Sequence, residues 1–412
     1  MRTLSVYLCD DYAGILRCDG QQRFSFQYTP EWMTKTDVPP LSLSLPLQEA
    51  PYPDEKARPF FTNLLPESTV RDAVARKLGI SARNEFGLLE ALGGECAGAI
   101  ILLPHGEVLE KKPGEYRELS DETFKEMLRD LHIKPFLAGE SGIRLSLAGA
   151  QDKLPVYLAN DRMFLPQGTS PSSHIIKPAI KGIRESIHNE AFCMALAKRI
   201  GLNVPNTYIM TIPDELYVIE RYDRYRDEDQ RMHRLHQEDF CQATGLMAET
   251  KYESEGGPSL ADCFSVIARF STNPALDRKA LLGWISFNYI IHNADAHAKN
   301  LSLLLSSTEI RLAPFYDLMC TGVYEGINEK LAMKIGNENR PNWVQSRHWV
   351  RMAEAVGIRP KFALKTVKEM AEKIENAAPD LALKQQTFWG PAPIVKEIRK
   401  VITKQTRRVF DL

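Results

Sequence analysis

The chain is 412 residues long, 44% hydrophobic and 25% charged, with 52 Lys and Arg against 53 Asp and Glu. That length fits about two or three domains, and the near-neutral balance excludes nucleic-acid binding by overall charge. The seven cysteines are odd in number, scattered and never in C-x-x-C spacing, which argues for reduced thiols in the core and against a disulfide framework or thiolate zinc site.

The N-terminus, MRTLSVYLCDDYAG, turns acidic by Asp10 and lacks a basic region followed by an apolar stretch, so no leader is expected. No apolar run approaches the ~20 residues that span a bilayer, and a cytoplasmic protein is the expectation. Period-2 alternation in LSVYLCD, GILRCD, FSFQYT, LSLSLPL and AGAIILLP predicts strands over the first hundred residues. FFTNLLPESTVRDAVARKLG interrupts them as a helical stretch ending at Gly79. Residues 105–118 are polar, with Pro and Gly, and read as a linker; Ser120 then caps the amphipathic helix DETFKEMLRDLHI.

Strand patterns return in IRLSLAG, LPVYLAN, MFLPQ and HIIKP, and in TYIMTIPDELYVIERYD, a hairpin around Pro213-Asp214. One helix, NEAFCMALAKRIG, divides them. Beyond 235 the helical period dominates: LLGWISFNYII, WVRMAEAVG, KFALKTVKEMAEKIENA and PIVKEIRKVITKQTRRVF. The expected divisions are 1–104, 105–142, 143–221 and 222–412, an α+β chain with a β-rich first half and a helical second half.

The buried-looking helix LLGWISFNYII runs straight into HNADAHAKN, which holds Asp295, His297, Lys299 and Asn300 within six positions. Phosphoryl transfer needs a carboxylate to orient a hydroxyl and accept its proton, and oxygen ligands for Mg²⁺. An Asp followed five positions later by an Asn supplies both in a protein-kinase catalytic loop. Asp317, in FYDLM, stands where a second metal carboxylate is expected. Helix capping by Asn293 and Asp295 is the plain alternative; a zinc site on His292, Asp295 and His297 lacks a further ligand.

Upstream, SLAGAQDKLPV lies between strand patterns, and its small residues Ala148, Gly149 and Ala150 let backbone N–H groups approach phosphate. Lys177, in the apolar run HIIKP, is costly to bury without a partner or ligand. Glu190, on the following helix, is its candidate partner. VIERYDR falls where strand gives way to helix, so backbone near Glu220 and Tyr222 could meet an adenine edge; an exposed charged strand end is the alternative. The order of these parts is that of a kinase.

The strings PEWM, PLSLSLPLQ, FFTNLLPES, SLAGAQDK, SHIIKP, ERYDR, QEDFCQATG, NADAHAKN and APFYD resemble the HipA family of serine/threonine-kinase toxins over most of the chain. The resemblance implies a bilobal protein-kinase-like fold with an extra N-terminal subdomain, use of ATP and Mg²⁺, and a small helix-turn-helix antitoxin, HipB. It implies a protein substrate of the aminoacyl-tRNA synthetase class, notably the glutamyl enzyme, and operator binding mainly through the antitoxin. By residue, it makes Asp295 the catalytic base, Asn300 and Asp317 the metal ligands, and Ser146 an autophosphorylated serine. The implied ATP contacts are Ala148, Gly149, Ala150, Gln151, Asp152, Lys153, Lys177, Glu220, Arg221, Tyr222, His297, Lys299, Asn300 and Asp317. A small-molecule phosphotransferase, which uses a similar acid–amide spacing, and a catalytically weak co-repressor are the rival readings.

Overall fold

A computed structural model describes every residue except 110–113, 141, 161 and 213; part of the 105–118 linker and Pro213 of the expected hairpin therefore lie outside the described residues. One unit comprises Met1–Pro178, Met210–Ala248 and Leu303–Glu309; the other comprises Ala179–Ile209, Glu249–Ser302 and Ile310–Leu412.

In the first unit, strands β1 (Arg2–Leu8), β2 (Asp11–Cys18) and β3 (Phe24–Tyr28) precede four helices, α1 (Pro30–Thr34), α2 (Asp54–Thr62), α3 (Ser68–Leu78) and α4 (Glu85–Leu92), and then β4 (Ile100–Pro104). The strands form an antiparallel sheet in the order β3-β2-β1-β4. Alternation places Leu4, Val6 and Leu8 in the core with Phe26, Phe60 and Phe61. LSLSLPL, expected as a strand, is a turn with only a Ser42–Leu45 bridge. Its alternation serves a different end. Leu41 and Leu45 are buried while the Tyr28 hydroxyl binds the backbone of both, and the Ser42 hydroxyl donates to Glu238.

Next come β5 (Tyr116–Glu118), α5 (Asp121–Asp130), β6 (Leu154–Ala159), β7 (Arg162–Pro166) and β8 (His174–Lys177). Ser120 caps α5 as expected, its hydroxyl accepting from the Thr123 N–H. The chain leaves for the second unit through α6 (Ser186–Arg199) and returns by β9 (Thr207–Thr211) to β10 (Glu215–Glu220). Strands β5, β7, β6, β8 and β10 are neighbours in that order. A hairpin of β11 (Arg224–Arg226) and β12 (Met232–Arg234), then β13 (His236–Asp239) and α7 (Phe240–Thr244), complete this part. IRLSLAG is a second strand expectation that fails. Its backbone makes only isolated parallel bridges, Leu145 to Glu95 and Gly149 to Pro66, so it lies against the N-terminal segment without joining a sheet.

The second unit carries α8 (Leu260–Phe270) and α9 (Pro274–Ile291), and, beyond β14 (Ser302–Leu305) and β15 (Ile310–Leu312), α10 (Ser346–Ala355), α11 (Pro360–Trp389) and α12 (Pro393–Phe410). Asn273 caps α9 and Pro274 occupies its first turn. Every residue from 281 to 291 is buried, because α9 packs against α8, α11 and α12. Helix α11 outruns the KFALKTVKEMAEKIENA pattern and continues through Pro379. That proline removes one intrahelical donor and does not end the helix. Six cysteines are buried and Cys9 is exposed, all seven free. Among the described residues no helix is long and apolar enough to cross a membrane.

Candidate active site

Helix α9 ends on His292, a non-glycine residue in the left-handed region at φ 55°. That conformation is disfavoured for a side chain with a Cβ, and several contacts hold it. The His292 Nε2 lies 3.1 Å from the Glu329 carbonyl. A Cβ on Gly322 would sit 2.5 Å from His292 Nδ1, so only glycine fits there. Burial lowers the His292 pKa, against the opposing pull of the Glu329 carbonyl. An asparagine ladder follows: Asn288 Nδ2 donates to Trp284 O, Asn293 Nδ2 to Asn288 Oδ1, and the Asp295 N–H to Asn293 Oδ1.

The result is a rigid loop with one outward side chain. From 281 to 300, Asp295 is the only exposed residue, with its side chain 56% accessible. Its Oδ1 accepts a hydrogen bond from the Tyr252 hydroxyl and lies 3.7 Å from His297 Nε2. The Tyr252 and His297 rings meet edge to face at 5.1 Å. Asn300 Nδ2 donates to the Asp295 carbonyl at 2.9 Å, which turns the amide oxygen away from that bond. Lys299 is buried, and its carbonyl accepts from the Tyr316 hydroxyl.

The segment bearing Asp317 is fastened to the same loop. Tyr316 also bonds the Ser302 hydroxyl. The Thr321 hydroxyl accepts from the Ala294 N–H at 2.7 Å and donates to the His292 carbonyl at 3.0 Å. On α6, Asn189 clamps Cys320 from both sides, Oδ1 accepting from its N–H and Nδ2 donating to its carbonyl. Asp317 stands within this frame in the left-handed region, at φ 53°. Glu190, the next residue of α6, is 3% exposed.

These donors suit a hard divalent cation. Among the described residues no group of three or more His, Cys, Asp or Glu side chains could hold a metal alone. Mg²⁺ in phosphoryl-transfer sites is held by one or two carboxylates plus phosphate oxygens and water. An oriented amide oxygen on Asn300 and a carboxylate on Asp317 match that need.

In the first unit, residues 148–153 run into β6, and Leu154 pairs with Ile176 beside Lys177. The Gln151 amide donates to Pro178 O, and Lys153 Nζ folds back to Ala148 O. Gly149, at φ 113°, receives the Glu67 N–H on its carbonyl. Ala150 lies between these contacts, and burial raises the Asp152 pKa. Lys177 is 4% exposed and pairs in register with Tyr217 of β10. Glu220 pairs with His174, three residues along β8, roughly 10 Å at the strand rise. The phosphate-loop candidates and Lys177 thus share one end of the sheet, and residues 220–222 begin at the other.

Arg221 is placed differently from the expectation. Its N–H donates to Ser173 O, and its guanidinium is buried on Glu95 and Asp223 at 3.0 and 2.6 Å. Only its carbonyl is left for an adenine edge. Glu220, at the end of β10, is exposed, but the charges that follow it are not solvated: Arg221, Asp223 and Arg224 are buried, and Arg224 and Arg234 join Arg221 on Glu95. Burial opposes the Glu95 charge, but the three arginines outweigh it and hold its pKa down to about 2. The Tyr222 hydroxyl donates to Gln237. Ser146 is 1% exposed and donates to the Leu64 carbonyl at 2.7 Å, so its hydroxyl faces the interior here.

Tyr252, Asn189, Thr321 and Glu95 escaped the sequence reading. Each acts on a residue 27 or more positions away, and no local spacing marks such contacts. The string KYESEGGP around Tyr252 carries no spacing that would assign it to Asp295.

Two family models match the chain: the HipA N-terminal domain over residues 4–103 and the HipA-like C-terminal domain over residues 145–378. A Sinorhizobium fredii protein named as a candidate kinase, Y4mE, is 39% identical over 92% of this chain and 91% of its own. The serine/threonine-protein kinase toxin HipA of Shewanella oneidensis is 30% identical over 92% of this chain and 89% of its own. A solved structure of the Shewanella oneidensis HipA, HipB and operator DNA complex superposes with a TM-score of 0.83 at 28% identity, covering 99% of this chain and 96% of that one.

Proposed function

The chain belongs to the HipA family, with its kinase-like α+β fold, and from that premise we propose that it is a toxin of a type II toxin–antitoxin pair, acting as an ATP-dependent serine/threonine protein kinase. The observation that carries this reading is the isolated exposure of Asp295 on an otherwise buried, hydrogen-bonded loop, with Tyr252 holding Oδ1.

Asp295 Oδ2 takes the proton of the acceptor hydroxyl. The acceptor oxygen bonds the γ-phosphorus as the bond to the bridging oxygen breaks, and ADP leaves with that electron pair. Lys177 and the N–H groups of 148–153 position the phosphates. The adenine edge meets backbone of 220–222, and His297 and Lys299 complete the nucleotide contacts. Asn300 and Asp317 would hold Mg²⁺, which would supply charge neutralisation at the phosphates. Positioning and electrostatics account for most of the rate.

The protein substrate in this reading is an aminoacyl-tRNA synthetase of the glutamyl type, and Ser146 is autophosphorylated. A HipB-like helix-turn-helix antitoxin is the partner and supplies most of the operator contacts, in keeping with the near-neutral charge of this chain. Phosphoproteomics after induction tests the reading. New phosphoserine or phosphothreonine on a synthetase, absent when Asp295→Ala is induced, supports it; identical phosphoproteomes for the two proteins refute it.

A further inference from the structure

Beside Asp295 the second unit holds a cavity of about 410 Å³, within the ~300–1,000 Å³ range of ligand pockets. We propose that this cavity is the acceptor-side specificity pocket, taking an aliphatic side chain within two residues of the phosphorylated serine or threonine in a polypeptide substrate. The proposal rests on the kinase reading above and names the substrate feature that site selects.

The lining decides the occupant. Ile180, Ile183, Met319, Tyr324, Ile327 and Leu331 form apolar walls, while Asp295 and Tyr252 stand on the same surface. A side chain seated there is therefore presented beside the carboxylate that takes the acceptor proton. Among the described residues Asp295 is the only carboxylate in the lining, and Lys330 the only cation. A polycationic small-molecule acceptor would find one acid and a repelling ammonium. An aliphatic residue finds the apolar contacts it needs, and Lys330, which is exposed, favours an acidic residue farther along the same segment.

The walls are built in advance. Ile180 and Ile183 come from PAIKGIRESIH, a stretch the catalytic assignments leave unused. The Ile180 N–H donates to the Ser186 hydroxyl at 2.8 Å, the Tyr324 hydroxyl donates to the Arg184 carbonyl at 3.2 Å, and Arg184 pairs with Glu397. Thr321, which tethers the catalytic loop, also lines the cavity, so pocket and carboxylate share one frame. Such preorganisation lowers the ordering cost of binding.

Purified chain with Mg²⁺–ATP and an array of serine and threonine peptides tests this. Peptides with Leu, Ile or Met within two residues of the acceptor should be phosphorylated about tenfold faster or more than their alanine counterparts, the discrimination an apolar pocket gives for such a difference. Ile183→Asp and Ile327→Asp should each abolish that preference by raising the peptide KM about tenfold, with ATP KM and the rate on alanine peptides unchanged. Ile327 is 37% exposed, so its variant should keep the wild-type fold, and a matching circular dichroism melt would establish that. An active kinase with no aliphatic preference, or one whose preference survives Ile327→Asp, overturns the pocket and leaves the kinase reading standing. Failure to phosphorylate any peptide or protein overturns both.

Discussion

Replacing Glu95 by Gln should show how strongly the N-terminal segment holds the 220–222 and phosphate-loop candidates in place. The Glu95 carboxylate accepts from Arg221, Arg224 and Arg234 at 3.0, 2.8 and 2.7 Å, and from the Ser172 N–H and hydroxyl, both at 2.9 Å. Its own backbone pairs with Arg144 and Ser146, at the approach to the phosphate-loop candidates. Burial resists the charge and the arginines overcome it, lowering the pKa from 4.5 to about 2. At ~1.36 kcal/mol per pKa unit that amounts to about 3 kcal/mol at neutral pH, in line with the ~3–5 kcal/mol lost when one partner of a buried ion pair is removed. For a unit of this size the melting temperature should fall by about 6–12 °C. The sign in acid follows from the lowered pKa. The stabilisation is present above pH 4.5 and is lost as pH falls towards about 2, so wild type and Glu95→Gln should converge across that window. Thermal melts of both proteins in buffers from neutral to acid would measure this. Equal stability at neutral pH, or a difference that persists undiminished in acid, would refute the reasoning.

Tyr252→Phe removes the hydroxyl that holds Asp295 Oδ1; steady-state kinetics should show kcat down roughly tenfold or more, the scale of a hydrogen bond to a charged group, with ATP KM unchanged. Glu238 is fully buried, and burial raises its pKa to about 8 against the donors Ser42 and Leu43. Its proton-linked stabilisation is therefore complete below about pH 4.5 and lost as pH rises towards 8, and denaturant titrations of Glu238→Gln should lack that decline. Phosphate on Ser146 cannot fit where its hydroxyl now meets Leu64 O. Autophosphorylated chain, identified by mass spectrometry, should thus lose ATP affinity in step with modification, because the segment must leave its buried position and the added charge repels ATP.

The buried helix α9 and the candidate loop after it were legible because their signal is local: an apolar helix, then an acid and an amide five positions apart. The strands LPVYLAN, MFLPQ and HIIKP were legible for the same reason, since alternation is read from neighbouring residues. LSLSLPL and IRLSLAG carry the same alternation but spend their backbone bonds on Tyr28, Glu95 and Glu67, which only tertiary placement decides. The charges of VIERYDR look solvated in one dimension. Glu220 is exposed, but Arg221, Asp223 and Arg224 are buried around Glu95, which lies 126 positions from Arg221, and no short window contains both. Tyr252 and Asn189 are hidden in the same way, each reaching the candidate site segments, at Asp295 and Cys320, from another element.

The most direct test of the account is phosphate transfer by Asp295→Ala. Radiolabelled ATP, purified chain and a protein acceptor give the rate, and titration of ATP by calorimetry gives the affinity. The account predicts transfer reduced by at least about a hundredfold, the scale of general-base catalysis, with ATP affinity nearly unchanged, because Asp295 serves the hydroxyl and not the nucleotide. Near-normal transfer by Asp295→Ala would contradict it.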